Sequence, residues 1–472
     1  MNKYNKLAKN SIIFAVGNFG SRFINILMLP FYTSEFTKSD FGQIELITVT
    51  LALLIPIFTV SIVEAVIRFS LEKKYNSYFQ VISNSLLFIV LGSLLLICFY
   101  PLLESIVYIK PYLHFFYILF TIQSLHSSVK QFTRVINLNK TFMLSDMIYT
   151  FVFATLNIML ILIFNLGIEG YFLSMILAYT IDLMFLSFKS KVIRYIGFRY
   201  LDKDLVRSMF FYCLPLIPNT IMWWFINISD RYLLAYYLGL SANGIYAIAN
   251  KFPSLVSNIS SIFFNAWQVS AIEESESEEK DGFYSNVFNI FFFVMVITAS
   301  IYIMFNKYII SMLVSNEFYD AWKYAPILVL AALFSSFSSF IGTNYVAMKK
   351  TKGAFYTSCA GAVANILLNI ILIPSIGIYG AAISTMISFL IMWIYRIIDT
   401  KRFVKIKYPF IRIVLSFIFL GIQIIIGYIH YNMLSWFLNL IILGLIIIIS
   451  TKYTKYPFLL IYKKMRKKIF QH

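Results

Sequence analysis

Charge is scarce in this chain. Of 472 residues only 13% are Asp, Glu, Lys or Arg, against roughly 25% in an ordinary soluble domain, and 60% are hydrophobic. Cysteine and histidine are scarce as well. Cys98, Cys213 and Cys359 are odd in number, far apart and each inside an apolar stretch, which excludes a disulfide framework. His114, His126, His430 and His472 are equally scattered, so no metal site is expected. Neither G-x-x-x-x-G-K-S/T nor G-x-G-x-x-G occurs, so ATP hydrolysis and dinucleotide binding are excluded and no cofactor is expected. The alternating segments of a membrane barrel are missing too. The longest connection on the outer side, near 306–320, is too short for the extracytoplasmic catalytic region of a membrane-embedded glycan polymerase or transferase, so the chain is not expected to be an enzyme.

What is abundant is apolar sequence in runs of membrane-crossing length. Mean hydropathy is +0.79, and a transmembrane helix needs about 20 predominantly apolar residues. Breaks at Gly, Pro and charge clusters give spans near 11–33, 41–68, 79–100, 112–134, 142–165, 168–188, 209–238, 243–270, 283–305, 321–347, 354–373, 377–399, 409–430 and 433–451. The expected fold class is therefore all-α: a polytopic membrane protein of about 14 transmembrane helices, because only helices remain to satisfy the backbone in lipid.

The basic residues set the orientation. With Lys3, Lys6 and Lys9 in the cytoplasm, the inner loops gather Lys73, Lys74, Lys140, the Lys189–Arg207 cluster, Lys349, Lys350, Lys352 and the Lys401–Lys407 cluster; the outer loops keep Lys38, Lys110, Lys307 and Lys323. Both termini are then cytoplasmic. The net charge of +18 reads as attraction to anionic membrane lipids rather than to nucleic acid. The acidic run Glu273–Glu279 falls in an inner loop and reads as a solvated segment.

A weak internal repeat orders the chain. Ser39 and Gly42 align with Ser241 and Gly244; Lys140 and Thr141 align with Lys350 and Thr351; Gly167-Ile168-x-Gly170 aligns with Gly377-Ile378-x-Gly380. Six helices separate the copies, an even number, so the repeats share one orientation and are related by an axis along the membrane normal. The expected organisation is two parallel six-helix lobes, 1–200 and 201–405, around a central cavity, followed by two helices and a basic tail over 406–472.

Ionisable residues inside apolar spans are the candidate site, since a charge at bilayer depth costs at least ~2.5–3.5 kcal/mol and usually faces a polar interior. Arg22 lies about eleven residues from each end of its span, roughly 16 Å by helical rise, beyond the reach of a snorkelling side chain. It needs an anion or water inside the bundle; the candidate anions are Glu45 or Glu64 of the next helix and an anionic group of a ligand. Asp230 and Arg231 are adjacent, point about 100° apart on a helix, and with Lys251 mark the second lobe. Lys130 and Arg134 share a helix face at i, i+4 near the inner end of the fourth span, placed either to snorkel or to capture a headgroup. Trp223 and Trp224 could stack sugars or merely pack. Gly17 with Gly20, and Pro215 with Pro218, occupy the first helix of each lobe and are candidate hinges.

The run Asp230-Arg231-Tyr-Leu-Leu-Ala-Tyr-Tyr-Leu-Gly239-Leu-Ser-Ala-Asn-Gly244-Ile-Tyr246-Ala-Ile-Ala-Asn-Lys251, with Phe41-Gly42 and Gly377-Ile-Tyr-Gly380-Ala-Ala, resembles the polysaccharide repeat-unit flippases (Wzx type) of the multidrug/oligosaccharidyl-lipid/polysaccharide exporter superfamily. The resemblance implies two bundles around a cationic cavity that carries an undecaprenyl-diphosphate-linked oligosaccharide across the bacterial plasma membrane, for capsule or surface polysaccharide assembly. It also implies a role for a first-helix arginine, matched here by Arg22, and partnership with a polysaccharide polymerase and a chain-length regulator. The rival expectation is an ion-coupled multidrug exporter of the same superfamily, which for cationic drugs should carry acids rather than Arg22 at its cavity centre.

Overall fold

A computed structural model describes residues 24–70, 78–273, 280–348, 350–429 and 433–451. Arg22, Gly17 and Gly20 lie outside them. Every regular element among the described residues is helical, and ten of these helices are long and apolar enough to cross a membrane. The chain is a polytopic all-α membrane protein, and large apolar side chains such as Leu94, Phe151, Phe188, Ile371 and Ile398 stand on its outer faces. On a water-soluble surface so many would be an aggregation hazard; against lipid tails they cost nothing.

The helices divide into two compact units. The first runs through Trp224 and takes in Gly239–Gly244 and Leu313–Glu317. Its α-helices of seven residues or more are α1 (Leu29–Glu35), α2 (Lys38–Phe58), α3 (Ile62–Ser70), α4 (Tyr78–Cys98), α5 (Leu113–Val135), α6 (Asn139–Asn157), α7 (Gly167–Ser190) and α8 (Lys203–Cys213). A capping box starts α2: Thr37 accepts from the Asp40 amide while Asp40 accepts from the Thr37 amide, which satisfies two of the donors a helix start leaves open. The span expected over 41–68 is interrupted between α2 and α3, where Val60 and Ser61 take positive φ values of 54° and 51°. Hydropathy passes smoothly over such a kink because all its residues are apolar or small. Ile62, Ala65 and Phe69 of α3, Val81 and Ile89 of α4, and Leu205, Met209 and Cys213 of α8 form one core cluster, so α8 belongs to the first unit by its packing. The proline pair marks an interruption: α8 ends at Cys213, and the next helix begins at Leu216 with Pro218 in its first turn, where a missing N–H is harmless.

The second unit comprises Phe225–Leu238, Ile245–Met312 and the chain from Phe318 onward. Its elements are α9 (Leu216–Leu238, which begins in the first unit), α10 (Leu240–Lys251, likewise), α11 (Pro253–Glu273), α12 (Lys280–Leu313), α13 (Ala325–Ala347), α14 (Thr351–Ile376), α15 (Ile378–Thr400), α16 (Phe410–Ile429) and α17 (Met433–Thr451). The span expected over 243–270 is split between α10 and α11 at Pro253, which cannot donate to the preceding turn. In the first unit α7 packs on α5 and α6; in the second α15 packs on α13 and α14. The first of the two C-terminal helices is tethered by polar groups: Ser300 of α12 donates to Gln423 of α16 at 2.8 Å, and the Arg412 guanidinium donates to the Asn289 carbonyl at 3.0 Å while lying over the Phe292 ring.

Candidate functional site

Within the second unit, five helices enclose a cavity of about 430 Å³, inside the ~300–1,000 Å³ range of small-molecule sites. Its lining is polar for a membrane interior. α9 supplies Asn227, Asp230 and Arg231; α10 supplies Tyr246, Asn250 and Lys251; α11 supplies Ser254, Ser257 and Asn258; α13 and α15 add Ser335, Thr385 and Phe389. Three of the expected site residues, Asp230, Arg231 and Lys251, therefore meet in one space. The cavity sits against the α10–α11 break, so a helix that ends at Lys251 and one that begins at Pro253 both terminate on it.

Asp230 is held in place by its neighbours. Its carboxylate is 1% exposed and accepts from the Tyr246 hydroxyl and from Thr385 Oγ1, the latter at 3.2 Å. Behind Thr385 the chain of hydrogen bonds continues: Asn369 donates to Asn365 Oδ1 at 3.0 Å, and Ser229 donates to the same oxygen at 3.0 Å. Asn365 in turn reaches Thr385 Oγ1 at 3.5 Å. A buried carboxylate that accepts from neutral hydroxyls at one oxygen is fixed in rotamer without having its charge cancelled by them. Arg231 is 7% exposed, one residue along and on a different face of α9.

The other expected residues lie elsewhere. Trp224 donates its indole N–H to the Val49 carbonyl at 3.0 Å, within the first unit, and neither Trp223 nor Trp224 lines the cavity. Lys130 pairs with Asp146 of α6 and lies over the Phe142 ring at 5.0 Å; Arg134 lies over the same ring at 6.0 Å. Tyr246, Thr385, Asn365 and Asn369, which orient Asp230, carry no signal in the sequence beyond Tyr246 following the acid by sixteen residues, because Thr and Asn at these positions look like ordinary helix residues.

A family model described as polysaccharide biosynthesis protein matches residues 7–267, more than half of the chain. Among curated proteins, the chain is 29% identical over 206 residues to an uncharacterized membrane protein, MJ1068, of Methanocaldococcus jannaschii, covering 42% of this chain and 39% of the relative. It is 26% identical over 214 residues to the probable low-salt glycan biosynthesis flippase Agl15 of Haloferax volcanii, covering 44% of each. The chain thus aligns with less than half the length of these relatives. Among solved structures, the lipid II flippase MurJ in an inward closed conformation superposes with a TM-score of 0.72 at 15% identity, over 94% of this chain and 99% of that one. At that identity the likeness is one of fold.

Proposed function

The chain belongs to the polysaccharide biosynthesis protein family, and from that premise we propose that it is a flippase and not an enzyme, moving an undecaprenyl-diphosphate-linked oligosaccharide repeat unit across the bacterial plasma membrane for capsule or surface polysaccharide assembly. The observation that carries the reading is the meeting of Arg231 and Lys251 in one cavity walled by Asn227, Asn250, Asn258, Ser254, Ser257 and Ser335. Basic groups suit an anionic phosphate or acidic sugar, with the arginine fork able to donate two parallel hydrogen bonds. Amides and hydroxyls suit sugar hydroxyls, to which they both donate and accept. The cycle is alternating access, with the glycan head in the cavity and the prenyl chain left in lipid. A polysaccharide polymerase and a chain-length regulator are the proposed downstream partners.

A charge-assisted hydrogen bond contributes roughly 1.5–3 kcal/mol, so losing one slows transport by about tenfold to a hundredfold. In proteoliposomes carrying a fluorescent undecaprenyl-diphosphate-linked oligosaccharide, Arg231→Ala and Lys251→Ala are expected to lower the flipping rate by that factor at equal amounts of inserted protein. Wild-type rates in both variants overturn the assignment of this cavity to the cargo.

A further inference from the structure

The first unit holds a second ionisable constellation, far in sequence from the cavity. Gln123, His126, Lys130 and Arg134 recur on α5 at spacings of three and four, so they form one stripe along a single helix face. The stripe meets acids. His126 Nε2 lies 2.7 Å from Asp182 Oδ2 of α7, and Lys130 pairs with Asp146 of α6. Exposure falls along it from Arg134, which is exposed, through Lys130 and Asp146, at 18% and 35% of their side chains, to His126 at 8% and Asp182 at 0%. Asp182 Oδ2 also accepts from Ser145 Oγ at 2.6 Å, while its Oδ1 is buried without a hydrogen bond among the described residues.

The surroundings add little charge. The rings of Tyr179 and Tyr149 lie 5.1 Å and 6.5 Å from the imidazole. Beyond them is Tyr171 of α7, which interacts with Tyr32 of α1, with Glu45 of α2 and with the two nearer tyrosines. α4 faces α5 with Ser85, bonded to Ser128 at 2.7 Å. Folding does not demand a titratable pair at this place. In the second unit, where α15 packs on α13 and α14 as α7 packs on α5 and α6, Arg396 occupies the helix junction. It donates to the Ser338 carbonyl at 2.8 Å, to Thr357 Oγ1 at 3.1 Å and to Ser358 Oγ at 3.1 Å. Arginine keeps its charge at every accessible pH, whereas histidine changes its charge near neutrality.

We propose that the His126–Asp182 pair is a proton-binding site that couples proton uptake to the conformational cycle of the transporter. With neutral histidine, Nε2–H donates to the Asp182 carboxylate and the pair carries one negative charge; a proton arriving at Nδ1 makes an imidazolium–carboxylate pair of zero net charge. In a water-poor interior the uncompensated charge costs several kcal/mol, so occlusion favours uptake and access to water favours release. The coupling clause rests on the transporter reading; proton binding itself does not depend on which cargo is carried.

The test uses the full-length protein in nanodiscs with ¹⁵N-labelled histidine, assigned by the signal lost in His126→Gln. The His126 resonance is expected to titrate between pH 5 and 9 in the wild type. In Asp182→Asn, proton occupancy of His126 at a given pH in that range falls so that about tenfold more protons are needed for half-saturation. Ser145→Ala, which removes a donor competing for the carboxylate, moves the titration the opposite way and stands in if Asp182→Asn fails to fold. Hydrogen exchange of α5–α7 peptides, corrected for intrinsic rates, is expected to differ about threefold between pH 6 and pH 8 in the wild type and not in His126→Gln. A His126 signal that does not move over this range, or moves identically in the variants, overturns the site. A titration that shifts when sodium replaces choline reassigns it to a metal cation and equally overturns the proposal. Titration without a pH-dependent exchange difference overturns the coupling.

Discussion

Gly42 of α2 and Gly244 of α10 face each other with their backbones in contact. A Cβ added to Gly42 would fall on the Leu240 carbonyl oxygen, and one added to Gly244 on the Lys38 carbonyl oxygen; Asn243 closes the contact by donating to the Gly42 carbonyl at 2.8 Å. These are the two glycines that the internal repeat equates. Replacing either with valine is expected to lower the thermal unfolding midpoint and the yield of monodisperse protein, since the obstacle is backbone and overpacking of this kind costs typically 1–3 kcal/mol. Gly421→Ala, with open space around it, serves as the control that should behave as wild type. Unchanged stability in both valine variants would contradict the contact.

Tyr246→Phe removes one of the two hydroxyls that Asp230 accepts from. Stability is expected to fall by about 1–3 kcal/mol, because a buried carboxylate loses a donor. Asp230→Asn combined with Tyr246→Phe should cost less than the sum of the two single changes, as measured in a thermal double-mutant cycle. Additive losses would mean that the two side chains do not act on each other.

The accessible side of each loop can be read by cysteine labelling in a background without the three native cysteines. Ser241 and Arg194 are both exposed, whereas Asn243 in the same turn as Ser241 is buried and unsuitable. The basic-loop asymmetry leads to labelling of Ser241→Cys, and not of Arg194→Cys, by an impermeant reagent added from outside. The reverse pattern would place both termini outside.

Arg22 lies outside the described residues, and its depth in an apolar span keeps it a prediction. Arg22→Ala is expected to cut flipping about tenfold to a hundredfold, with Arg22→Lys between, because lysine keeps the charge and loses the fork. If Arg22 instead serves an ion pair with Glu45 or Glu64, alanine will reduce inserted protein and the corresponding Glu→Ala will restore it, with normal flipping per molecule.

Much of this was legible from residue types alone. Asp230, Arg231 and Lys251 announced a polar interior because charge inside apolar runs is costly, and all three do line one cavity. Tyr246 and Thr385 were not legible as the partners of Asp230, since a hydroxyl on a packed helix looks the same whether or not it reaches an acid. His126 and Asp182 stand 56 positions apart, and no spacing rule relates residues on two helices that become neighbours only by folding. The breaks at Val60–Ser61 and at Pro253 were hidden for a different reason: hydropathy averages over a window, while a kink is made by one or two backbone angles.

The cavity that holds Arg231 and Lys251 with the single carboxyl of Asp230 has an electrical consequence. Each elementary charge carried through the field of a membrane at 100 mV is worth about 2.3 kcal/mol, so on the proposed cycle a lobe that re-exposes the empty, net-basic cavity carries positive charge through the field, whereas the same lobe holding a doubly negative diphosphate carries negative charge. Voltage then acts in opposite directions on the unloaded and the loaded step. Charge displacement recorded on a solid-supported membrane should reverse in sign when cargo is present, and should shrink in Lys251→Gln without cargo; equal displacement in all three conditions would mean that these side chains do not move through the field.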